Sequence, residues 1–345
     1  MTQQTQSENA GAPLPDAIMM QMLFAPLMQQ CITIAAKLKI ADLVAEHPQT
    51  IAELAAKTNT NADALYRMLR LLSSAGVFIK NHDDKFELTP IASLLRSDIP
   101  NSLYSFAIMM GEDWMWRNWG QLMYSIETGK IAHEKVYGMS SFEFFTSNEK
   151  AGTIFNNAMT NLSKASVAPI VEAYDFSGAG TVADIAGGHG MVLAGVLKET
   201  PQVQGILFDL PGVIKGAGEL LEKEGVSARV ELVSGDFFQS VPKSADIYMM
   251  KHIIHDWDDT SSIKILKNIR SAMNDDGKVL IIEMVVPESN EPSPSKIMDI
   301  LMMIMEGGKE RTEEEYRTLL ASADLKLIRI IPTKSPYSLV EAECM

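Results

Sequence analysis

Cysteine is scarce in this chain of 345 residues: only Cys31 and Cys344 are present, at opposite ends. Neither a disulfide framework nor a thiolate zinc site can be assembled from them within one chain, so a reducing cytoplasm is the natural setting. Cations are also short. Lys and Arg total 30 against 44 Asp and Glu, a formal charge of -14, and that field repels a phosphate backbone, which argues against nucleic acid as a partner. The first sixteen residues hold no Lys or Arg, so the charged start of a secretory signal is missing. No long apolar run is uninterrupted. The most apolar early stretch, Ile18 to Ala36, contains Gln21, Pro26, Gln29 and Gln30, and no membrane segment is expected. With 46% hydrophobic and 21% charged residues the chain is nonetheless a globular one.

Four segments differ in texture. Residues 1–16 are small and polar, with Pro13 and Pro15, and read as a disordered N-terminus. Residues 17–100 open with apolar positions from Ile18 to Leu43 that wrap most of a helix, so this helix needs partners on several sides and predicts a homodimer interface. A capping box follows at Thr50 and Glu53, then a helix capped by Asn61 and stopped by Gly76, then short strands at Val77–Lys80 and Lys85–Leu88 around a turn. Helix, turn, helix and hairpin make a winged-helix pattern. It serves either DNA or a protein surface. The candidate recognition helix offers only Arg67 and Arg70, and acids accompany the wing lysines, so a dimerisation scaffold is favoured over a duplex reader. Residues 101–176 read as a helical linker that lines the substrate.

Residues 177–345 alternate strand and helix. Strands are expected at Thr181–Ile185, Gly205–Phe208, Val230–Ser234, Ala245–Met250 and Lys278–Val286, with helices near 190–199, 212–224, 260–274 and 312–322. The runs Lys326–Pro332 and Tyr337–Ala342 close the chain as an antiparallel pair. The fold class is α/β: a Rossmann-like, mostly parallel sheet covered by helices on both faces, with its ligands at the carboxyl ends of the strands.

The first strand runs into Asp184-Ile-Ala-Gly-Gly-His-Gly190, a turn that lets backbone approach a ligand. The second ends at Asp209, where a carboxylate can take both hydroxyls of a ribose. A dinucleotide would want Gly-x-Gly-x-x-Gly and no acid beside its pyrophosphate. Asp184 instead suits a loop that receives an ammonium group, so the cofactor expected is S-adenosylmethionine.

With Phe208-Asp-Leu-Pro-Gly-Val213, Gly235-Asp-Phe-Phe238, Met250-Lys-His-Ile-Ile-His-Asp-Trp257 and Gly307-Gly-Lys-Glu-Arg-Thr312 added in order, the chain from about residue 17 to its end resembles the small-molecule O-methyltransferases of the plant and acetylserotonin type. The resemblance implies that Gly187, Gly188 and Gly190 form the methionine-side loop, that Asp209 and Leu210 meet the ribose, that Asp236 and Phe237 flank the adenine, and that Lys251 lies near the cofactor. Ala186 stands where that family usually has glycine.

The chemistry sharpens the site. A sulfonium methyl group is already electrophilic, so the enzyme supplies alignment and a base for the acceptor hydroxyl. An imidazole suits a phenol at neutral pH, and His255 follows the fourth strand, where the family pattern also places a base. Glu283, at the end of the next strand, is expected to orient its ring. The resemblance carries over Glu310 as a second carboxylate. Those two acids with Asp256 or Asp258 would otherwise make a metal pair, but no ligand spacing demands one and no metal is expected. The acceptor, a small aromatic phenol or polyketide, is expected against Met109, Met110, Trp116, Phe155, Met159, Trp257, Asp299, Met302 and Met303. Two other functions stay open: redirected chemistry on the same cofactor (hydroxylation, decarboxylation, or C- or N-methyl transfer), and a ligand-sensing winged-helix regulator.

Overall fold

The computed structural model describes residues 14–345. Most of the segment expected to be disordered, residues 1–13, lies outside the described residues. The chain divides into two compact units, one ending at Glu112 and the other spanning Asp113–Met345.

The first unit contains α1 (Pro15–Lys37), α2 (Ile40–Glu46), β1 (Gln49–Thr50), α3 (Ile51–Thr58), α4 (Ala62–Ser74), β2 (Phe78–Lys80), β3 (Lys85–Leu88), α5 (Pro90–Ser93) and α6 (Tyr104–Met110). The apolar stretch from Ile18 to Leu43 is two helices, because Lys39 takes a left-handed conformation, φ 53°, that turns the chain. Both halves of the capping box form: Thr50 accepts the Glu53 N–H, and Glu53 accepts the Thr50 N–H at 2.7 Å. Asn61 accepts the Ala64 N–H at 3.0 Å and starts α4. In the hairpin Phe78 faces Leu88, and β1 adds a third strand on the far side of β3 that the sequence pattern does not announce. Leu54, Leu69, Leu72, Phe78 and Phe86 are fully enclosed, each contributing roughly 1.5–3 kcal/mol on burial. The wing cation Lys80 is paired with Asp84 at 2.6 Å. On α1 the opposite holds: Met19, Met22, Leu23, Phe24 and Leu27 are more than half exposed. By length and composition alone α1 could cross a membrane.

The second unit begins with α7 (Asp113–Trp119), α8 (Leu122–Thr128), α9 (Ala132–Tyr137), α10 (Ser141–Ser147) and the long α11 (Glu149–Ala173). It continues through β4 (Thr181–Ile185), α12 (Met191–Glu199), β5 (Gln204–Asp209), α13 (Pro211–Ile214), α14 (Ala217–Lys223), β6 (Val230–Ser234), β7 (Ile247–Lys251), α15 (Asp259–Ala272) and β8 (Lys278–Glu283). It ends with α16 (Pro294–Met305), α17 (Glu313–Ala321), β9 (Leu325–Pro332) and β10 (Ser338–Cys344). The sheet order is β6-β5-β4-β7-β8-β10-β9, parallel from β6 to β8 and antiparallel where β10 joins β8 and β9. Val182, Ala183, Ile185, Met249 and Met250 are buried, as central strands covered on both faces require. The expected helix near 212–224 is broken at Lys215–Gly216 into α13 and α14, and β8 stops at Glu283 rather than Val286. Helix α16 is an addition to the sequence reading. Its flanking prolines and serines resemble a loop, yet Ser293 caps it and Pro294 fits its first turn.

Candidate active site

The carboxyl ends of β4, β5, β6 and β7 bring the expected cofactor residues to one edge of the sheet. Beyond β4 the chain turns through Ala186, left-handed at φ 55°, and Gly188, at φ 62°. Gly187 is required by contact: a Cβ there would lie 2.4 Å from the carboxyl carbon of Asp184. A Cβ on Gly188 would meet nothing within 4 Å, so the turn opens onto free space. Asp209 braces this turn from β5. Its Oδ2 accepts the Gly188 N–H at 2.8 Å, and its Oδ1 accepts the N–H of the exposed Leu210 at 2.6 Å.

Burial and the nearby Asp209 charge raise the Asp184 carboxyl to about 7, against the pull of Lys251. Lys251 is held down to about 8 by its own burial. Past β6, Asp236 accepts the Phe238 N–H at 2.8 Å, leaving Phe237 partly buried beside it. Two acids below an open glycine turn and a flat ring beyond β6 fit a ligand that carries cationic groups at one end and an adenosine at the other.

His255 lies on a 3₁₀ turn, Ile254–Asp256, after β7. Its Nδ1 is 2.7 Å from Oε1 of Glu310 and its Nε2 is 3.4 Å from Oδ1 of Asp256. Burial works against the imidazolium, but the carboxylates of Asp256, Glu310 and Glu283 prevail and raise the ring to about 9. Glu283 acts differently from expectation. Its Oε1 accepts the N–H groups of Ile253 and His255 at 3.1 and 3.0 Å, and its Oε2 accepts the Tyr316 hydroxyl at 2.5 Å, so it holds the backbone of the turn while Glu310 holds the ring.

Comparison with known proteins settles the class. The O-methyltransferase domain family matches residues 119–326, and the O-methyltransferase dimerisation domain matches residues 20–98. The chain belongs to the O-methyltransferase family. It is 43% identical to a phenazine O-methyltransferase, PhzM, of Lysobacter antibioticus over 98% of this chain and 99% of that one. It is 36% identical to a mitomycin biosynthesis 6-O-methyltransferase of Streptomyces lavendulae over 90% of each. The solved structure of CalO1, a methyltransferase in calicheamicin biosynthesis in its SAH bound form, superposes with a TM-score of 0.88 at 34% identity, covering 96% of this chain and 98% of that one. This O-methyltransferase takes its methyl group from S-adenosylmethionine.

The methyltransferase distributes the expected acceptor residues unevenly. Met109 and Met110 end α6 in the first unit. In the second, Phe155 stacks on Phe145 at 4.3 Å, inside a ring cluster that includes Trp114 and Phe144, and Trp116 lies against Trp119 at 5.2 Å. Met159 on α11 and Met303 on α16 are half-buried, and Met302 is buried. Trp257 packs edge-on against Phe237 and Phe238, at 6.0 and 4.8 Å, beside the expected adenine position. Asp299 accepts the Glu310 N–H at 3.0 Å and so fixes the second carboxylate's backbone.

Two further groups serve the site. Arg311, fully buried, donates to the carbonyls of Ile254 and Trp257, both at 3.0 Å, and clamps the His255 turn from outside. A Cβ on Gly308 would lie 2.0 Å from the His255 carbonyl oxygen, so that segment packs directly on the turn. The Gly307–Thr312 motif was the available signal for both, since an arginine between a buried acid and a helix cap has few other uses.

Proposed function

We propose that His255 is the general base of the methyl transfer, with Glu310 as its orienting partner and Glu283, Tyr316 and Arg311 holding the turn that carries it. The observation that supports this most is the 2.7 Å contact between Nδ1 and Glu310 in a buried setting. With Nδ1–H donating to Glu310, Nε2 is the nitrogen that takes the acceptor's proton, and Glu310 stabilises the imidazolium that results. When bound, S-adenosylmethionine supplies an electrophilic methyl group. The chain's own residues hold it: Asp184 and the Gly187–Gly190 turn at the amino acid end, Asp209 and Leu210 at the ribose, Asp236 and Phe237 at the adenine, with Lys251 nearby.

The acceptor we favour is a phenolic hydroxyl on a flat, fused ring system. The rings of Trp116 and Phe155 and the thioethers of Met159, Met302 and Met303 offer broad, adaptable apolar contact, and the phenazine-modifying relative shares the chain over nearly its full length. The assembly is a homodimer, read from the exposed apolar face of α1 within the matched dimerisation domain. That face argues for a partner protein chain rather than a membrane, because Gln21, Gln29 and Gln30 would be costly in hydrocarbon. The paired wing lysine supports a scaffold without nucleic acid, and two free cysteines suit the cytoplasm.

A panel of hydroxyphenazines, hydroxynaphthoates and simple phenols with methyl-labelled cofactor tests this reading. Label in a methyl ether of a fused-ring phenol is the expected result. Label on carbon or nitrogen alone, or cofactor consumption without methyl transfer, would replace it with redirected chemistry.

A further inference from the structure

His252 follows β7 directly, in a conformation that β-substituted residues seldom adopt, φ 57°. Its N–H reaches the Ile282 carbonyl at 3.3 Å, tying the strained residue to β8. Its ring stacks on that of His255, with centroids 4.8 Å apart and planes 29° from parallel, and meets the edge of Tyr337 at 4.7 Å. Among the described residues neither of its ring nitrogens has a hydrogen bond. A histidine held in place by its nitrogens would bond through them, and this half-buried ring does not. This one presents its face, and backbone strain held at such a place points to use.

We propose that His252 is a positioning residue whose ring face fixes the plane of His255 and keeps water from it, thereby setting the pH at which His255 takes a proton. The proposal rests on the reading of His255 as the base. The charges around the pair show why a neutral face is needed. His255 is faced by Asp256 on its own turn, Glu283 from β8, Glu310 ahead of α17 and Glu306 at the end of α16, all of which draw a proton to it. His252 faces Lys251, His255 and Tyr337, and burial together with the two cations holds its own ring well below 6.5. A flat group that stays uncharged adds burial without adding a carboxylate. It therefore opposes the four acids and favours the neutral form that a base requires.

Two variants separate the ring face from a general structural role. His252→Asn removes the face while tolerating the left-handed backbone, and His252→Phe restores a face without nitrogens. The His255 imidazole is titrated by NMR in the ligand-free protein, and kcat is followed against pH. In His252→Asn the His255 midpoint should rise by about half a unit or more as water reaches the cation. Turnover at pH 7 should fall about three- to tenfold and recover at higher pH. His252→Phe should lie within about twofold of the parent in turnover. An unmoved His255 midpoint in His252→Asn overturns the proposal, as does His252→Phe behaving like His252→Asn. A midpoint that moves while the kcat profile stays in place supports the coupling and removes His255 as the base, so the two readings fail separately.

Discussion

Oε1 of Glu310 sits 2.7 Å from Nδ1 of His255, in a place where the two side chains are only 1% and 6% exposed. A contact of this kind fixes which nitrogen keeps its hydrogen and raises the basicity of the other. Glu310→Gln keeps a hydrogen-bond acceptor but removes the charge. The His255 midpoint should then move down from about 9, and the acid limb of kcat/KM should move with it. Because the base works unprotonated, activity in the parent rises with pH through that midpoint, and in the variant it rises earlier. The plateau of kcat should nevertheless fall about ten- to a hundredfold, since the imidazolium loses its counter-charge. A pH profile of both proteins decides the point, and a limb that stays in place would discount Glu310.

Glu283 should respond as a structural acid. It is fully buried and takes two backbone N–H groups and the Tyr316 hydroxyl. Tyr316→Phe deletes one donor to a buried carboxylate and should cost about 1.5–3 kcal/mol of stability. Thermal unfolding should show the loss, while cofactor affinity stays close to that of the parent. An unchanged melting midpoint would mean that Glu283 does not depend on this hydrogen bond.

At the other end of the site, Asp209→Ala removes the carboxylate we assign to the ribose. It also frees the Gly188 N–H, which that acid now holds at 2.8 Å. S-adenosylmethionine binding should weaken by about 1.5–3 kcal/mol with the fold intact. Calorimetric titration measures this directly, and undiminished affinity in a folded variant would move the adenosine site elsewhere.

The dimer makes a mass prediction. Sedimentation at micromolar concentration should give a particle near twice 38.0 kDa. A charge placed in the exposed apolar face of α1, such as Leu23→Asp, should shift it toward the monomer, because Leu23 is 64% exposed in the isolated chain. A parent protein that sediments as a clean monomer would refute the assembly.

How legible these features are in sequence follows from their physics. A strand covered on both faces must be an apolar run, so Thr181–Ile185 is found at the expected bounds; Val230–Ser234, at the edge of the sheet and largely exposed, is found at its bounds by its β-branched residues instead. The caps at Thr50 and Asn61 are equally readable, because a helix start needs a specific acceptor at a specific offset. Ala186 stands where the related enzymes usually have glycine, and its φ of 55° shows what that glycine would relieve. Helix α16 was hidden because Ser293 and Pro294 look alike in a loop and in a first helical turn. The division of labour between Glu283 and Glu310 was hidden too. Sequence places both acids near His255, but whether a carboxylate meets a ring or a backbone N–H depends on angstroms that strand spacing does not encode. Trp257 illustrates the same limit: its aromatic character is plain, and its neighbours Phe237 and Phe238 come from another strand's end.

The assignment of His255 itself meets its sharpest test in the acceptor's acidity. His255→Ala should bind S-adenosylmethionine nearly normally, since the proposed cofactor residues lie at or just beyond the carboxyl ends of β4, β5, β6 and β7 and none of them is held by its ring. Its turnover should drop about a hundred- to ten-thousandfold for a phenol with an ordinary pKa near 10. Across a series of acceptors the loss should shrink as the phenol becomes more acidic, because solvent then provides phenolate that the missing imidazole would have made. For any one acceptor it should also shrink as pH approaches that acceptor's pKa. A histidine that only filled space would leave a different trace: a lower melting midpoint and a rate defect equal for strong and weak phenols. Turnover of parent and variant over the acceptor series, with the melting midpoint measured alongside, distinguishes the two. A defect independent of acceptor acidity would withdraw the base from His255 and leave the cofactor residues as they stand.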